Sequence, residues 1–353
     1  MIGLDKPSVA GVSDVLIARR GHLGHVLLNR PQALNALTHD MVVSIAAALA
    51  DWAVDDDVAH VAISGAGDRG LCAGGDVAAM YRSAAGDGSA AAAFWADEYQ
   101  LNAAIARYPK PYVAIMDGLV LGGGVGVSAH GSARVVTERT KLGMPEVTIG
   151  FVPDVGGTWL LSHAPGELGT HLALTGSTIT GADAIALGLA DSYVMSDRLP
   201  ALMTDLEGMP AADAIARHES AAPESGLLAQ RGWIDEHYAG DDAVAIIERM
   251  ETSQVGEARA AASLIRSKSP TSVHLALESL RRARRLGSLE EALDQEYRVG
   301  LRVLEGTEIV EGIRAQVIDK DRQPHWNPAT LEEVSPSDID KYFDIDNYVK
   351  EQP

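Results

Sequence analysis

Short apolar runs alternate with segments of helical periodicity over roughly the first 200 of the 353 residues, and this alternation limits the folds open to the chain. Val58–Ser64, Tyr112–Met116 and Ala133–Thr137 are apolar runs of strand length. A helical pattern begins after Thr38, a suitable N-cap, and another covers Ser89–Arg107 before two prolines. Strands that alternate with helices in this way predict a layered α/β body.

Strand signals become scarce after about Val194. Residues 201–260 are Ala-rich and acidic, and helical patterns return between Pro270 and Gly306. We therefore predict two parts: an α/β core over residues 1–200, which holds the active site, and a helical C-terminal region with an extended tail over residues 201–353.

The charge balance limits the partners that the chain can bind. Its net charge is −20, from 29 Lys and Arg against 49 Asp and Glu. A nucleic-acid binder needs a basic surface to displace counterions, and an anionic membrane also attracts basic segments. We therefore expect neither nucleic acid nor a membrane as partner, whereas an anionic small ligand held by a local basic patch stays open.

The N-terminus and the cysteine content suggest a compartment. MIGLDKPSVAGVSDV has neither the apolar centre of a signal peptide nor the Arg/Ser bias of a transit peptide. No run of about 18 apolar residues is present, so we expect no membrane span. Cys72 is the single cysteine, which excludes an internal disulfide and suits a reducing compartment. These features predict a cytoplasmic protein.

Two glycine-rich turns are the first candidates for a binding site. LCAGGD, Leu71–Asp76, precedes one predicted helix, and LVLGGGVG, Leu119–Gly126, opens another that we expect to reach His130. Neither turn has the spacing of a dinucleotide-binding or P-loop motif. Each could be a simple turn or a close helix contact, and each could also present one backbone amide to an oxyanion.

Two acids in an apolar segment are the candidates for chemistry. KLGMPEVTIGFVPDVGG, Lys141–Gly157, places Glu146 after Pro145 and Asp154 after Pro153. Glu146 alone could belong to an ion pair, and Asp154 alone could be the N-cap of the next helix. Together, two acids among Pro, Gly and apolar residues indicate general acid/base groups with shifted pKa values.

The histidines do not indicate a metal site. His22, His25, His130 and His163 lack the spacing of metal ligands, and a lone cysteine cannot form a thiolate zinc cluster. We therefore expect no metal.

Taken in order, Leu71–Asp76, Leu119–Gly126 and Met144–Gly157 resemble the crotonase (enoyl-CoA hydratase/isomerase) superfamily. The upstream segment LLNRPQALNALT, Leu27–Thr38, looks like the N-terminal signature of that superfamily. This resemblance implies a spiral of ββα units with a helical C-terminal region. It also implies a coenzyme A thioester as substrate, no separate cofactor, and a homo-oligomer, either a trimer or a hexamer.

The resemblance also implies roles for individual residues. Ala73 and Gly123 match the two positions whose backbone N–H groups form the oxyanion hole, and Glu146 matches a catalytic carboxylate. Hydratases of the superfamily carry another glutamate where this chain has Gly126, which argues against plain hydration. The residues implied in substrate binding are Gly74, Gly75, Asp76, Gly122 and Gly126.

The position of Asp154, where hydratases commonly have glycine, resembles the 3-hydroxyisobutyryl-CoA hydrolase branch. The segment Glu296–Val334 resembles the extended C-terminus of the same branch. This implies hydrolysis of a short 3-hydroxyacyl-CoA in valine catabolism, with Glu146 and Asp154 as the catalytic pair. Some dienoyl-CoA isomerases share the spacing of the two acids, so hydration or isomerisation stays an alternative. A further alternative is a noncatalytic protein that binds coenzyme A.

Overall fold

The computed structural model describes residues 13–344. The N-terminal residues on which the prediction of no leader peptide mainly depends lie outside this range. Eleven strands are described. They are β1 Val15–Arg20, β2 Leu23–Leu28, β3 His60–Gly65, β4 Gly70–Cys72, β5 Tyr112–Met116, β6 Leu119–Leu121, β7 Ala133–Val136, β8 Lys141–Gly143, β9 Thr178–Thr180, β10 Ser192–Val194 and β11 Glu219–Ser220.

Sixteen α-helices surround and follow these strands in the described part of the chain. They are α1 His39–Ala53, α2 Val77–Ala84, α3 Ser89–Ala106, α4 Gly123–Gly126, α5 Gly157–Ser162, α6 Leu168–Thr175, α7 Gly181–Ala186, α8 Leu199–Leu206, α9 Ala211–His218, α10 Arg231–His237, α11 Ala243–Glu251, α12 Gly256–Arg266, α13 Pro270–Ala283, α14 Leu289–Leu304, α15 Glu308–Ile313 and α16 Pro336–Phe343. None of the described helices is both long and apolar enough to span a membrane.

The larger sheet has seven strands in the order β1-β2-β3-β5-β7-β10-β11. Its central strands run parallel, with Val61 opposite Tyr112 and Val113 opposite Ala133. β5 is buried along its whole length, as expected for a parallel strand covered on both faces. β11 extends this sheet beyond residue 200, where the sequence shows few strand signals. The division into residues 1–200 and 201–353 stays a prediction.

The smaller sheet has four strands in the order β4-β6-β8-β9. Successive pairs of strands divide between the two sheets: β3, β5 and β7 enter the larger sheet, and β4, β6 and β8 follow each of them into the smaller one. Helices connect one pair to the next. This repeat is the ββα spiral that the resemblance to the crotonase superfamily implies, and that prediction is confirmed.

The carboxyl ends of β4, β6 and β8 bring the candidate motifs together. These three strands are parallel neighbours, so their ends meet at one edge of the small sheet. β4 leads into Ala73–Gly75, β6 leads into Gly122 and Gly123, and β8 leads into Glu146. The order of the strands thus brings these three segments, which lie far apart in sequence, to the same edge of the small sheet.

The helical C-terminal region packs against this edge. α14 contacts α3 and α5, and α15 contacts both α2 and the 3₁₀ turn at Glu146–Ile149. After α15 the chain forms a short π-helix, Arg314–Ile318. The indole ring of Trp95 on α3 stacks on Phe151, with ring centroids 4.8 Å apart. One hydrophobic core contains buried residues of both the spiral and the C-terminal helices.

The helix that begins at the second glycine turn is shorter than the sequence predicts. α4 ends at Gly126 and is followed by a turn over Val127–His130, whereas helix was expected as far as His130. The Ser128 hydroxyl donates to the Gly124 carbonyl at 2.6 Å. Such a side-chain bond competes with helical pairing of the backbone, which accounts for the early end.

A buried asparagine fixes the loop before α1 to the start of β4. Asn35, which is 1% exposed, accepts from the Arg30 N–H and donates to the carbonyls of Ala66 and Gly70, each at 3.0 Å. Its backbone lies in the left-handed region, at φ 56°, which asparagine tolerates better than most residues. This side chain therefore locates the first glycine turn.

We expect Asn35→Asp to lower the free energy of unfolding by about 3 kcal/mol, because a carboxylate oxygen would face two buried carbonyls that lose their donor. Asn29→Asp is the control, since Asn29 donates one side-chain bond, to Ser13, at 3.0 Å. Asn29→Asp should lower the free energy of unfolding by about 1 kcal/mol or less. Urea unfolding of both variants measures the difference, and equal losses would contradict this role of Asn35.

Candidate active site

A cavity of about 200 Å³ lies at the edge where β4, β6 and β8 end. Its walls combine the glycine turns, three acids and apolar side chains. The lining residues include Ala73, Gly74, Gly75, Met80, Phe94, Trp95, Glu98, Gly122, Gly123, Glu146, Phe151, Asp154, Gln316 and Val317. No Lys, Arg or His belongs to the described lining. The cavity thus brings both glycine turns and both predicted acids to one place.

The backbone amides of the first glycine turn differ from the prediction. The Ala73 N–H donates to the Leu34 carbonyl at 3.0 Å, so it is already used within the protein. Ala73 therefore does not present a free donor, and the prediction that it does is wrong in this structure. The Gly75 N–H makes no hydrogen bond to any residue in the described range. A methyl group on Gly123 would lie 3.4 Å from the Gly75 nitrogen, which places these two glycines side by side.

The second glycine turn lets two carboxylates approach the backbone from both sides. A methyl group on Gly122 would lie 2.8 Å from Glu146 Oε1, and one on Gly123 would lie 2.5 Å from Glu98 Oε1. Gly122 also adopts φ 49°, in the left-handed region. A side chain at either position would displace an acid from the cavity.

Glu146 begins the 3₁₀ turn that follows Pro145. Glu146 is 6% exposed, and its Oε2 has no hydrogen-bond partner among the described residues. No described cation forms an ion pair with it, so the ion-pair alternative is excluded for the described part of the chain. Burial, followed by the charge of Asp154, raises the pKa of Glu146 well above its ordinary value. A raised pKa makes the ionised form a stronger base.

Asp154 faces the same cavity and is 6% exposed. Its Oδ2 accepts from the Tyr99 hydroxyl at 2.8 Å. Burial raises its pKa to about 7, while the Tyr99 hydrogen bond opposes that rise. The residue that caps α5 is Gly156, so Asp154 is not the N-cap. Its carboxylate is therefore available to the cavity.

Glu98 is a third acid of the cavity that the sequence did not reveal. It comes from α3, is 2% exposed, and has an oxygen, Oε1, with no partner in the described range. Burial and then Asp154 raise its pKa well above the ordinary value. The available signal was that Trp95, Glu98 and Asn102 share a helical face. Glu98 and Asn102 interrupt the otherwise largely apolar set of buried side chains on this helix.

Two residues implied in substrate binding lie off the cavity wall. The Asp76 side chain caps α2 by accepting from the Ala79 N–H at 3.0 Å, and it pairs with Arg30 at 3.1 Å. Gly126 packs behind the wall, where a methyl group would lie 2.7 Å from Val155 Cβ and 2.8 Å from Asn102 Nδ2. Asp76 thus supports the first turn, and Gly126 has no room for a side chain.

Two further observations concern reactive and metal-binding groups. Burial raises the pKa of the Cys72 thiol to about 12, which leaves it protonated and unreactive at neutral pH. Within residues 13–344, no group of three or more His, Cys, Asp and Glu side chains is arranged to hold a metal ion.

The raised pKa of Asp154 predicts a stability that depends on pH. The pKa of Asp154 rises from 3.8 in the unfolded chain to about 7 in the folded protein. Its contribution to the free energy of unfolding is therefore fully present below pH 4 and is lost as pH rises through 7. Asp154→Asn keeps an acceptor for Tyr99 and removes the buried charge. We expect its melting temperature to exceed that of the wild type at pH 8, by an amount equivalent to roughly 4 kcal/mol, and to match it near pH 4.

Melting curves at the two pH values, with the exposed Asp51→Asn as control, measure this effect. The control should show no gain at pH 8. A wild type that is as stable as Asp154→Asn at pH 8 would contradict a costly buried charge.

Three proteins illustrate what the chain resembles. It is 37% identical over 342 residues to the zebrafish (Danio rerio) protein named 3-hydroxyisobutyryl-CoA hydrolase, mitochondrial, with 94% of this chain and 89% of the relative covered. The crystal structure of a carnitinyl-CoA dehydratase from Mycobacterium thermoresistibile matches with TM-score 0.92 and 52% identity, over 95% of this chain and 98% of that one. An enoyl-CoA hydratase from Rhodobacter sphaeroides matches with TM-score 0.89 and 42% identity, over 94% and 97%.

The prediction of a cytoplasmic location is contradicted by this comparison and is wrong. The zebrafish relative, which aligns with 94% of the chain, is named as a mitochondrial protein. The prediction used the single cysteine and the lack of an Arg/Ser bias near the N-terminus. Neither feature of the composition identifies one compartment.

The family model described as enoyl-CoA hydratase/isomerase matches residues 23–343, which contain both glycine turns, all three acids of the cavity and the C-terminal helices. The ββα spiral has the fold of solved members such as the Rhodobacter sphaeroides enzyme. The chain therefore belongs to the enoyl-CoA hydratase/isomerase family.

Proposed function

We propose that this protein is an acyl-CoA thioester hydrolase that converts 3-hydroxyisobutyryl-CoA to 3-hydroxyisobutyrate and coenzyme A. The observation that carries the proposal is the placement of Glu146 and Asp154 in one cavity beside the free N–H groups of Gly75 and Gly123. The relative named as a hydrolase of this substrate supports it, because its alignment covers 94% of the chain.

The two backbone amides suit the carbonyl oxygen of a thioester. As water or a carboxylate adds to the carbonyl carbon, negative charge develops on that oxygen. The N–H groups of Gly75 and Gly123 would donate to it, with Gly75 in the place first given to Ala73. Each such donor contributes about 3 kcal/mol to stabilising the transition state.

Glu146 can act by two routes in this geometry. As a general base, it takes a proton from water, whose oxygen bonds to the carbonyl carbon while the carbon–sulfur bond breaks. As a nucleophile, it attacks the carbonyl carbon and expels the thiolate, and water then hydrolyses the resulting anhydride. Both routes end with the free acid, the thiol and a regenerated carboxylate.

Asp154 and Glu98 would bind the 3-hydroxyl group of the substrate and donate a proton to the leaving thiolate. Asp154, with a pKa raised to about 7, is protonated in part of the molecules at neutral pH and can then supply the proton that the thiolate takes up. In its ionised form it accepts a hydrogen bond, which suits the 3-hydroxyl of the substrate. The burial of Glu98 favours its protonated form, which would add a second proton donor.

The size of the cavity favours a short acyl group. A volume of about 200 Å³, bounded by Met80, Phe94 and Phe151, suits a branched four-carbon group better than a long chain. We propose valine catabolism as the pathway of this reaction, and the substrate in the relative's name supports that proposal. Coenzyme A takes part as a portion of the substrate, and the reaction as proposed uses no metal or redox cofactor. The proposed homo-oligomer, a trimer or a hexamer, rests on the family resemblance.

Hydration or dehydration of an enoyl-CoA is the second candidate. Two structures with 52% and 42% identity carry the names of a dehydratase and a hydratase, and Glu98 adds another carboxyl group to the cavity. Against it, Gly126 stands where hydratases of the family carry a glutamate, and Val155 and Asn102 fill the space that a side chain there would need.

The deciding experiment follows thiol release from (S)-3-hydroxyisobutyryl-CoA and absorbance loss on crotonyl-CoA with one enzyme preparation. We expect rapid thiol release and little loss of crotonyl-CoA. Isobutyryl-CoA, which lacks only the hydroxyl, is the matched control. Its kcat/KM should be lower by at least about 10-fold, because a buried hydrogen-bonding group would lose its partner. Faster turnover of crotonyl-CoA than of any thioester would establish hydration instead.

A further inference from the structure

The turn that carries Asp154 has a strained backbone. Val155 adopts φ 53° and Gly156 adopts φ 79°, so two consecutive residues lie in the left-handed region. Glycine adopts this conformation freely, whereas a β-branched residue such as valine rarely does. Such a conformation persists only where the surrounding structure holds it. The groups that hold this turn therefore decide where the Asp154 carboxylate lies.

Two side chains from other parts of the chain hold the turn. The His130 Nε2–H donates to the Val155 carbonyl at 2.8 Å. Glu296 Oε2 accepts from the Gly156 N–H at 2.7 Å, and its Oε1 accepts from the Thr158 N–H at 2.9 Å. Oε1 also accepts from the Thr158 hydroxyl. His130 thus holds the carbonyl side of the turn, and Glu296 holds the amide side.

Glu296 lies on α14, in the C-terminal region, and is 1% exposed. Within the described range it forms no ion pair with a cation, and its hydrogen-bond partners lie in the turn or at the start of α5. Burial, and to a lesser extent the charge of nearby Asp154, raises the pKa of Glu296 to about 8, while its hydrogen bonds to Thr158 and Gly156 oppose that rise. An apolar side chain would fill the same space without the cost of burying a carboxyl group.

We propose that Glu296 is a positioning residue for catalysis: by fixing the Gly156 and Thr158 amides, it holds Asp154 against Tyr99 and directed into the cavity. This inference rests on the proposed function, since it assigns Asp154 a role in turnover. The simpler alternative is that Glu296 only caps the short helix α5 and stabilises the fold. The two differ in whether the effect of Glu296 passes through Asp154.

The first test compares Glu296→Gln with the wild type. The amide has the size of the acid, but its NH₂ group would face the N–H of Gly156 or Thr158 and push the turn away. We expect kcat to fall on the order of 10²-fold, as for displacement of a catalytic group by about an ångström. KM should rise by less than about 10-fold, because only the contact of Asp154 with the 3-hydroxyl is weakened, and the amides of Gly75 and Gly123 do not depend on this turn.

The matched control is Glu291→Gln on the same helix. Glu291 also accepts from a backbone amide, that of Gly287 at 2.8 Å, but it is exposed and far in sequence from the turn. Its kcat should equal that of the wild type. A folded Glu296→Gln with unchanged kcat would overturn the proposal.

The second test is a double-mutant cycle with Asp154→Asn, which separates positioning from stability. If Glu296 acts through Asp154, adding Glu296→Gln to Asp154→Asn should lower kcat by less than about threefold further. A full loss on the order of 10²-fold in that background would overturn the proposal, because Glu296 would then act independently of Asp154.

Thr158→Val tests the same contact should Glu296→Gln fail to fold. It keeps the Thr158 amide and nearly the same volume, and it removes only the hydroxyl that donates to Glu296. We expect kcat to fall about fivefold, in keeping with the loss of one hydrogen bond, and unchanged kcat would overturn the proposal. All variants are assayed on whichever acyl-CoA the wild type converts fastest. Absence of thiol release by the wild type would therefore count against the proposed function, whereas the ratios of kcat test Glu296 separately.

Discussion

Parallel pairing of three short strands is the constraint on which the site depends. β4, β6 and β8 have only three residues each, yet their shared direction places their carboxyl ends at one edge. Everything that acts on a substrate in the proposed mechanism leaves one of these ends or packs against it. The larger sheet, with its buried parallel strands, provides the rigid support for this edge.

Burial of acids without a cation is the second constraint. Glu98, Glu146 and Asp154 share a cavity whose described lining has no basic residue. Each is buried, and the charge of Asp154 raises the pKa of both glutamates. Each ionised carboxylate in such a shared, buried site makes ionisation of the others less favourable. This coupling suits a reaction that needs both a base and a proton donor.

The sequence predicts much of this arrangement, because its signals are local. The strand at Tyr112–Met116 and the N-cap at Thr38 lie where the patterns place them, and both glycine turns and both acids line the cavity or its rim. Which amide is free is not a local property. Whether Ala73 or Gly75 presents its N–H depends on the Leu34 carbonyl, which approaches from a loop folded by Asn35.

Glu98 and Glu296 escaped prediction for a similar reason. Both lie inside helices, where a single acid on a buried face looks like an ordinary interruption of an apolar pattern. Their roles depend on which helix faces which turn, and that depends on the packing of α3 and α14 around the spiral. The compartment was missed because composition and cysteine content do not specify it.

The most direct test of the account is whether Glu146 acts on the thioester carbonyl. Single-turnover thiol release and the Kd for 3-hydroxyisobutyryl-CoA should be measured for the wild type, for Glu146→Gln and for the exposed control Glu257→Gln. The account predicts that Glu146→Gln loses on the order of 10³-fold in rate while Kd stays within about threefold. Glu257→Gln should match the wild type. A rate for Glu146→Gln close to that of the wild type would contradict the account.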